Sequence, residues 1–108
     1  MRKAGLYTDR AVLLRLETAA DPRSGAVTRR WAEVRAVRCY RERAMARAVI
    51  RGPEGFAEVD AYYRVPEAHR VEIGWRLRDR AGQFYDIVNI EPNRAGMYNL
   101  CKCTLVNE

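Results

Sequence analysis

Eight arginines fall between Thr28 and Arg51, namely Arg29, Arg30, Arg35, Arg38, Arg41, Arg43, Arg47 and Arg51, against only Glu33 and Glu42. A guanidinium presents a planar fork of donors that matches phosphate or carboxylate, and Trp31 and Tyr40 stand in the same stretch, so the segment holds the ingredients of a nucleic-acid groove. The same run also suits the solvated face of a sheet. The formal charge of +6 sits in this stretch and the rest of the chain balances. Eighteen of the twenty basic residues are Arg, a bias that a GC-rich coding sequence also produces, so it is weak evidence for phosphate.

Other chemistry is sparse. His69 is the only histidine and stands in a turn beside Pro66, with no Ser or Cys near it to act as a nucleophile. Cys101 and Cys103, with Cys39 and His69, would make four zinc ligands by number. Two cysteines two apart on a strand share a face without converging as the Cys-x2-Cys knuckle of a structural zinc site does, so they read as buried thiols and no metal is expected. Glu58 and Asp60 lie among Tyr62 and Arg64 on what reads as a polar strand face, which argues against a general acid and base pair. Gly52 and Gly55 bracket a proline without the Lys or the strand-loop-helix setting of a phosphate loop. No catalytic set, metal site or cofactor site is expected, and the chain reads as something other than an enzyme.

The elements that must hold these residues are strands. Val71, Ile73, Trp75 and Leu77 alternate with Glu72, Gly74, Arg76 and Arg78, the period of a strand with one buried face. After Asp79-Arg80-Ala81-Gly82 the pattern resumes over Phe84 to Ile90, apolar on both faces as a central strand would be, and a turn at Pro92 to Gly96 leads to Tyr98–Val106, with Cys101, Cys103 and Leu105 inward. Two hairpins in series make a meander. Earlier, Asp9–Glu17 predicts a strand with Val12, Leu14 and Leu16 on one face, followed by the turn Asp21-Pro22-Arg23-Ser24-Gly25. Trp31–Tyr40 reads as its partner, although Trp31, Val34 and Val37 also fit helical spacing. Ala57, Val59, Ala61, Tyr63 and Val65 alternate strictly as one half-buried strand. Between these last two lies a basic loop of about residues 41–56, with room for a short helix over Arg41 to Ala48. Trp31, Trp75, Tyr63 and Phe84 are expected in the core.

These readings predict a single mainly-β domain over residues 1–108: a small antiparallel barrel or sandwich of about six strands with one long basic loop, since closure is how so small a sheet hides its edges. No run of about eighteen apolar residues exists, so no membrane-spanning helix is expected, and the N-terminus lacks the apolar stretch of a signal peptide. An odd number of cysteines fits a cytosol-like compartment.

The order of features matters more than any one of them. A leader Met1-Arg2-Lys3-Ala4-Gly5-Leu6 precedes the strand Arg10-Ala11-Val12-Leu13-Leu14-Arg15-Leu16, and a Gly-containing turn precedes Trp31-Ala32-Glu33-Val34-Arg35-Ala36-Val37. A long variable loop ends near Glu58, Ala61-Tyr62-Tyr63-Arg64-Val65-Pro66 follows, and Gly82 to Pro92 with its Phe84-Tyr85-Asp86-Ile87 core leads to a strand bearing Leu100, Cys101 and Val106. Over nearly its whole length the chain resembles the head-tail joining proteins of tailed bacteriophages, also called head closure or stopper proteins. It departs from their pattern between Arg38 and Phe56.

The resemblance implies a structural protein of the virion neck, made in the host cytoplasm, whose copies form a ring. Its implied partners are itself, a portal or adaptor protein on the head side, a tail or tail-terminator protein on the other, and packaged double-stranded DNA by non-specific contact, with no membrane. Arg41, Arg43, Arg47 and Arg51 are then the candidates for contact with the DNA channel or with an acidic neighbour. The readings left beside it are a small nucleic-acid-binding barrel, and an adaptor or tail-completion ring of the same particle. A phage, a prophage and a gene transfer particle are equally compatible sources.

Overall fold

A computed structural model describes residues 7–42, 48–52 and 55–107. Eight strands appear in it: β1 (Asp9–Ala20), β2 (Val27–Glu42), β3 (Ala48–Gly52), β4 (Gly55–Val59), β5 (Ala61–Pro66), β6 (Arg76–Asp79), β7 (Phe84–Asn93) and β8 (Tyr98–Leu105), with no helix among the described residues. Six of them run in the order β1-β2-β5-β8-β7-β6 and close into an antiparallel barrel, β1 pairing with β6 from Ala11↔Asp79 to Leu14↔Arg76. The ladder between β2 and β5 is shorter still, from Tyr40↔Arg64 to Glu42↔Tyr62. β3 and β4 form a separate two-stranded hairpin.

The alternating residues supply the core. Leu13, Val37, Cys39, Ala61, Tyr63, Val65, Trp75, Leu77, Tyr85, Ile87, Cys101 and Cys103 are buried together, with Val71, Ile90 and Leu105 packed against them. A period of two puts every second side chain inside, and the meander β6-β7-β8 does so as its sequence predicts. Asp60 clamps the junction of β4 and β5 onto β8: its amide donates to the Cys103 carbonyl and its carboxylate accepts from the Leu105 amide, each at 2.8 Å.

Several expectations are corrected. Val12, Leu14 and Leu16 share a face of β1, with Val12 and Leu14 opposite Arg78 and Arg76, but it is Leu13 on the other face that is wholly buried in the core, Leu14 is nearly so, and Leu16 is exposed. Leu13 pairs with Arg35 and Leu14 with Glu33, leaving Val34 as the extra residue of a β-bulge on β2. The strand expected from Val71 begins only at Arg76, since Gly74 takes a φ of 96°, which turns the chain before it can run along β1. Ala57 to Val65 is two strands joined at Asp60 rather than one.

The helical option over Trp31–Tyr40 is excluded, because β2 runs extended from Val27 to Glu42. Much of the long loop is hairpin, with β3 and β4 paired from Ala48↔Val59 to Gly52↔Gly55. The residues on which a short helix was expected belong to β2 and β3 at either end, and 43–47 lie outside the described residues. Trp75 and Tyr63 are core, but Trp31 is only half-buried and Phe84 is exposed.

β1 and β2 are longer than the barrel needs. Past Leu14, β1 has only β2 beside it, so its last six residues carry the hairpin outward by ~20 Å at the usual strand rise. This arm explains the elongated extents of 56 × 29 × 27 Å. At its tip the Asp21 carboxylate accepts the Arg23 amide at 2.8 Å, which lowers its pKa, and the Gly25 amide closes the turn on the Asp21 carbonyl at 2.8 Å.

Leu77→Ala, at the centre of this core, is expected to cost roughly 2–5 kcal/mol in chemical denaturation. Phe56→Ala, at a side chain that is 79% exposed, is expected to stay within about 0.5 kcal/mol of the parent.

Candidate assembly surface and the basic segment

Of the four arginines singled out from the sequence, the two described ones, Arg41 and Arg51, stand in different sheets. Arg41 lies one residue before the end of β2 and is half-buried: its amide donates to the Asp9 carboxylate at 2.9 Å, and its guanidinium lies 5.9 Å from the Tyr63 ring centre and 5.8 Å from that of Tyr85. Those rings meet edge to face at 5.9 Å, so Arg41 sits on an aromatic pair contributed by β5 and β7. Burial raises the Tyr63 phenol, partly offset by the Arg41 charge. Arg51 is exposed on β3, opposite Phe56, in the separate two-stranded sheet. Arg43 and Arg47 lie outside the described residues.

The remaining arginines of the run lie on the exposed length of β2. Arg30 reaches Glu17 at 3.4 Å, and Glu17 also meets Arg15 at 3.4 Å. Such solvated pairs contribute little stability. Arg35 stands 3.4 Å from Nδ1 of His69, and burial followed by the Arg35 charge lowers the His69 pKa. His69 thus has a cation beside it and no nucleophile.

Among the described residues neither the cysteines nor the carboxylates gather into a reactive centre. Cys39, Cys101 and Cys103 are free and wholly buried, and burial pushes Cys39 and Cys101 each up to about 12 and Cys103 well above the ordinary thiol value. A thiol held neutral is a poor nucleophile and a poor ligand. Among the described residues no group of three or more His, Cys, Asp or Glu is placed to hold a metal ion. The Asp60 carboxylate is engaged with the β8 backbone, and the Glu58 carbonyl accepts the Thr104 hydroxyl at 2.5 Å, fastening the β3–β4 hairpin to the barrel.

Sequence reasoning missed the groove beside that hairpin. It holds about 610 Å³ between the root of the arm (Leu16, Trp31), the hairpin (Phe56) and the turn at Ile73, over a floor of Arg76 and Asp86. The Arg76 guanidinium lies 4.3 Å from the Trp31 ring centre and bonds Asp86 at 2.8 Å. Arg76 stands opposite Asp86 in the β6–β7 ladder, so counting back from the turn at Gly82 would have found that pair. Nothing in the local sequence brings Trp31 to it.

The small barrel carries two hairpins with exposed apolar side chains, among them Leu16 and Val27 on the arm and Val49 and Phe56 on the β3–β4 hairpin. The family model of the phage head completion protein matches residues 2–106. The chain belongs to the phage head completion family. No curated protein matches it. Membership makes it a structural virion protein of the head-tail region, one that acts with other head or tail components, in a family of structural proteins rather than enzymes. Among the described residues no helix is long and apolar enough to cross a membrane.

Two outcomes follow for the buried groups. A thiol whose folded pKa stands above its unfolded value supplies stability that is whole below about pH 9 and is lost as the pH climbs toward the folded value of about 12. The urea midpoint is therefore expected to fall between pH 9 and 11, and less steeply in Cys39→Ala; a parallel fall in the two proteins would contradict it. Arg41→Ala is expected to destabilise by ~1–2 kcal/mol through loss of both ring contacts, and Arg51→Ala by less than about 0.5 kcal/mol, read as thermal midpoints.

Proposed function

We propose that this protein forms a ring in the virion neck that fastens the DNA-filled head, through the portal or its adaptor, to the tail. The observation that carries this reading is the family match over residues 2–106, nearly the entire chain. The shape supports it: a ring grows from head-to-tail interfaces in which one patch meets a different patch of the next copy, and the arm, the hairpin and the barrel wall offer dissimilar patches. Weak contacts repeated around a ring add through multivalency.

The basic segment then faces the DNA path and helps to retain the packaged genome. Arg43, Arg47 and exposed Arg51 would meet phosphate or an acidic neighbour, with Arg41 at the base of the segment held on its tyrosines. A stand-alone nucleic-acid-binding barrel is the second reading, favoured by the charge of +6 concentrated between Thr28 and Arg51. It requires affinity of the isolated protein for DNA that falls steeply with salt.

Electron microscopy of particles from a strain lacking only this gene tests the first reading. Separate heads and tails, with emptied heads among them and joining restored by the gene in trans, are expected; intact tailed particles would remove the protein from the neck. In the same strain, Arg43→Glu, Arg47→Glu and Arg51→Glu together are expected to leave the protein folded and to raise the fraction of emptied heads. An unchanged fraction would take the segment away from DNA retention.

A further inference from the structure

Both edges of the β1–β2 arm lack a strand partner among the described residues. β1 leaves β6 at Leu14 and β2 joins β5 only from Tyr40, so the outer edge of β2 from Val27 to Arg38 presents a row of backbone donors and acceptors without a ladder. Long free edges are usually shortened, covered or blocked by a proline. Along this stretch there is no proline and, among the described residues, no covering strand; its guards are the bulge at Val34 and the charge of its arginines, and Val27 and Val34 stand 62% and 39% exposed beside the edge.

The charge of the edge selects what would cover it. Val27 to Arg38 contains four arginines and one glutamate, and Glu33 is already paired with Arg78 at 3.5 Å. Arg29 and Arg38 make no ion pair among the described residues and are exposed. A second copy of the same edge would set like charge against like charge, which is destabilising across a strand pair. Duplex DNA is a poorer fit than protein, because the arginines alternate over both faces of the strand instead of forming one stripe, and Glu17 and Glu33 interrupt them. A strand that adds its own backbone to the ladder uses the edge itself, and acidic side chains on it meet arginines on both faces.

We propose that the outer edge of β2 from Val27 to Arg38 is a docking strand for an extended, acidic segment of another virion protein, which adds to the sheet by β-augmentation. This names the chemistry of one neighbour and rests on the neck reading above. Main-chain bonds supply the fit, while the Arg29, Arg30 and Arg38 side chains set the partner and its register.

The test uses assembled particles in which Arg29, or in a second strain Arg38, is replaced by the photo-crosslinking residue benzoylphenylalanine. Mass spectrometry of the irradiated particles is expected to join that position to an Asp- and Glu-rich extended segment of a different virion protein. Particles that contain the protein but yield crosslinks only to DNA, only to a second copy of this chain, or to nothing overturn the inference. Particles that lack the protein overturn the neck reading, and with it the basis for this one. Independently, Arg29→Glu with Arg30→Glu is expected to lower the yield of joined particles at least ~10-fold, about 1.4 kcal/mol in one contact, without changing the melting temperature. Arg80→Glu with Arg94→Glu, the same charge change placed in the exposed β6–β7 and β7–β8 turns, is expected to leave the yield within about twofold; equal losses from both double variants would assign the effect to net charge and overturn the docking edge.

Discussion

The short ladder between β1 and β6 is the contact on which the rest of the molecule depends. Without it the six-stranded sheet would end in two open edges, and a core of about a dozen side chains would lie under a sheet free to uncurl. With it, β1 and β6 each gain a second neighbour over Ala11 to Leu14, and Leu13 and Leu77, which face each other across that ladder, become wholly buried. Because the ladder is only as long as β6, everything on β1 beyond Leu14 is released to form the arm. Closure of the core and exposure of the arm therefore have one cause, the turn at Gly74 that starts β6 so late.

Polar groups at the barrel's ends and seams serve this closure. Arg41 covers the Tyr63–Tyr85 pair, and Arg64, ion-paired to Glu42, lies between the rings of Tyr40 at 5.6 Å and Tyr98 at 4.8 Å. Asp60 ties the incoming hairpin to β8 through both its amide and its carboxylate. An arginine held on aromatic rings is desolvated on one side and directed on the other, which makes it a structural element before it is a ligand for phosphate. The basic run is thus divided by its surroundings. Its members at the barrel hold the fold, and those on the arm and the β3–β4 hairpin face solvent.

That division bears on how an assembly protein of this size works. A barrel of some hundred residues has one core and little surface to spare, so its contacts are carried on extensions whose backbone it does not need for folding. The arm and the hairpin are such extensions, and the groove between them, with Trp31 stacked on Arg76 at its floor, is a product of their meeting on the barrel wall.

The period-two pattern of Phe84 to Leu105, the inward Cys101 and Cys103, the strict alternation through Val59, Ala61, Tyr63 and Val65, and the turns at Asp21 and Gly82 were legible in the amino-acid sequence, because each depends on neighbours within a few residues. So was the family, which rests on the order of those elements along the chain. Tertiary structure decided what depends on distant partners. The bulge at Val34 shifts the faces of β2 against those of β1, and Gly74 starts the pairing of β6 later than its alternation suggests. The loop of residues 41–56 is paired as a hairpin wherever it is described outside β2, and Arg41 is taken up by tyrosines more than twenty residues away. Local alternation states that a residue has an inner and an outer face; which face becomes inner, and which strand edge is left without a partner, is settled only when the ladder closes.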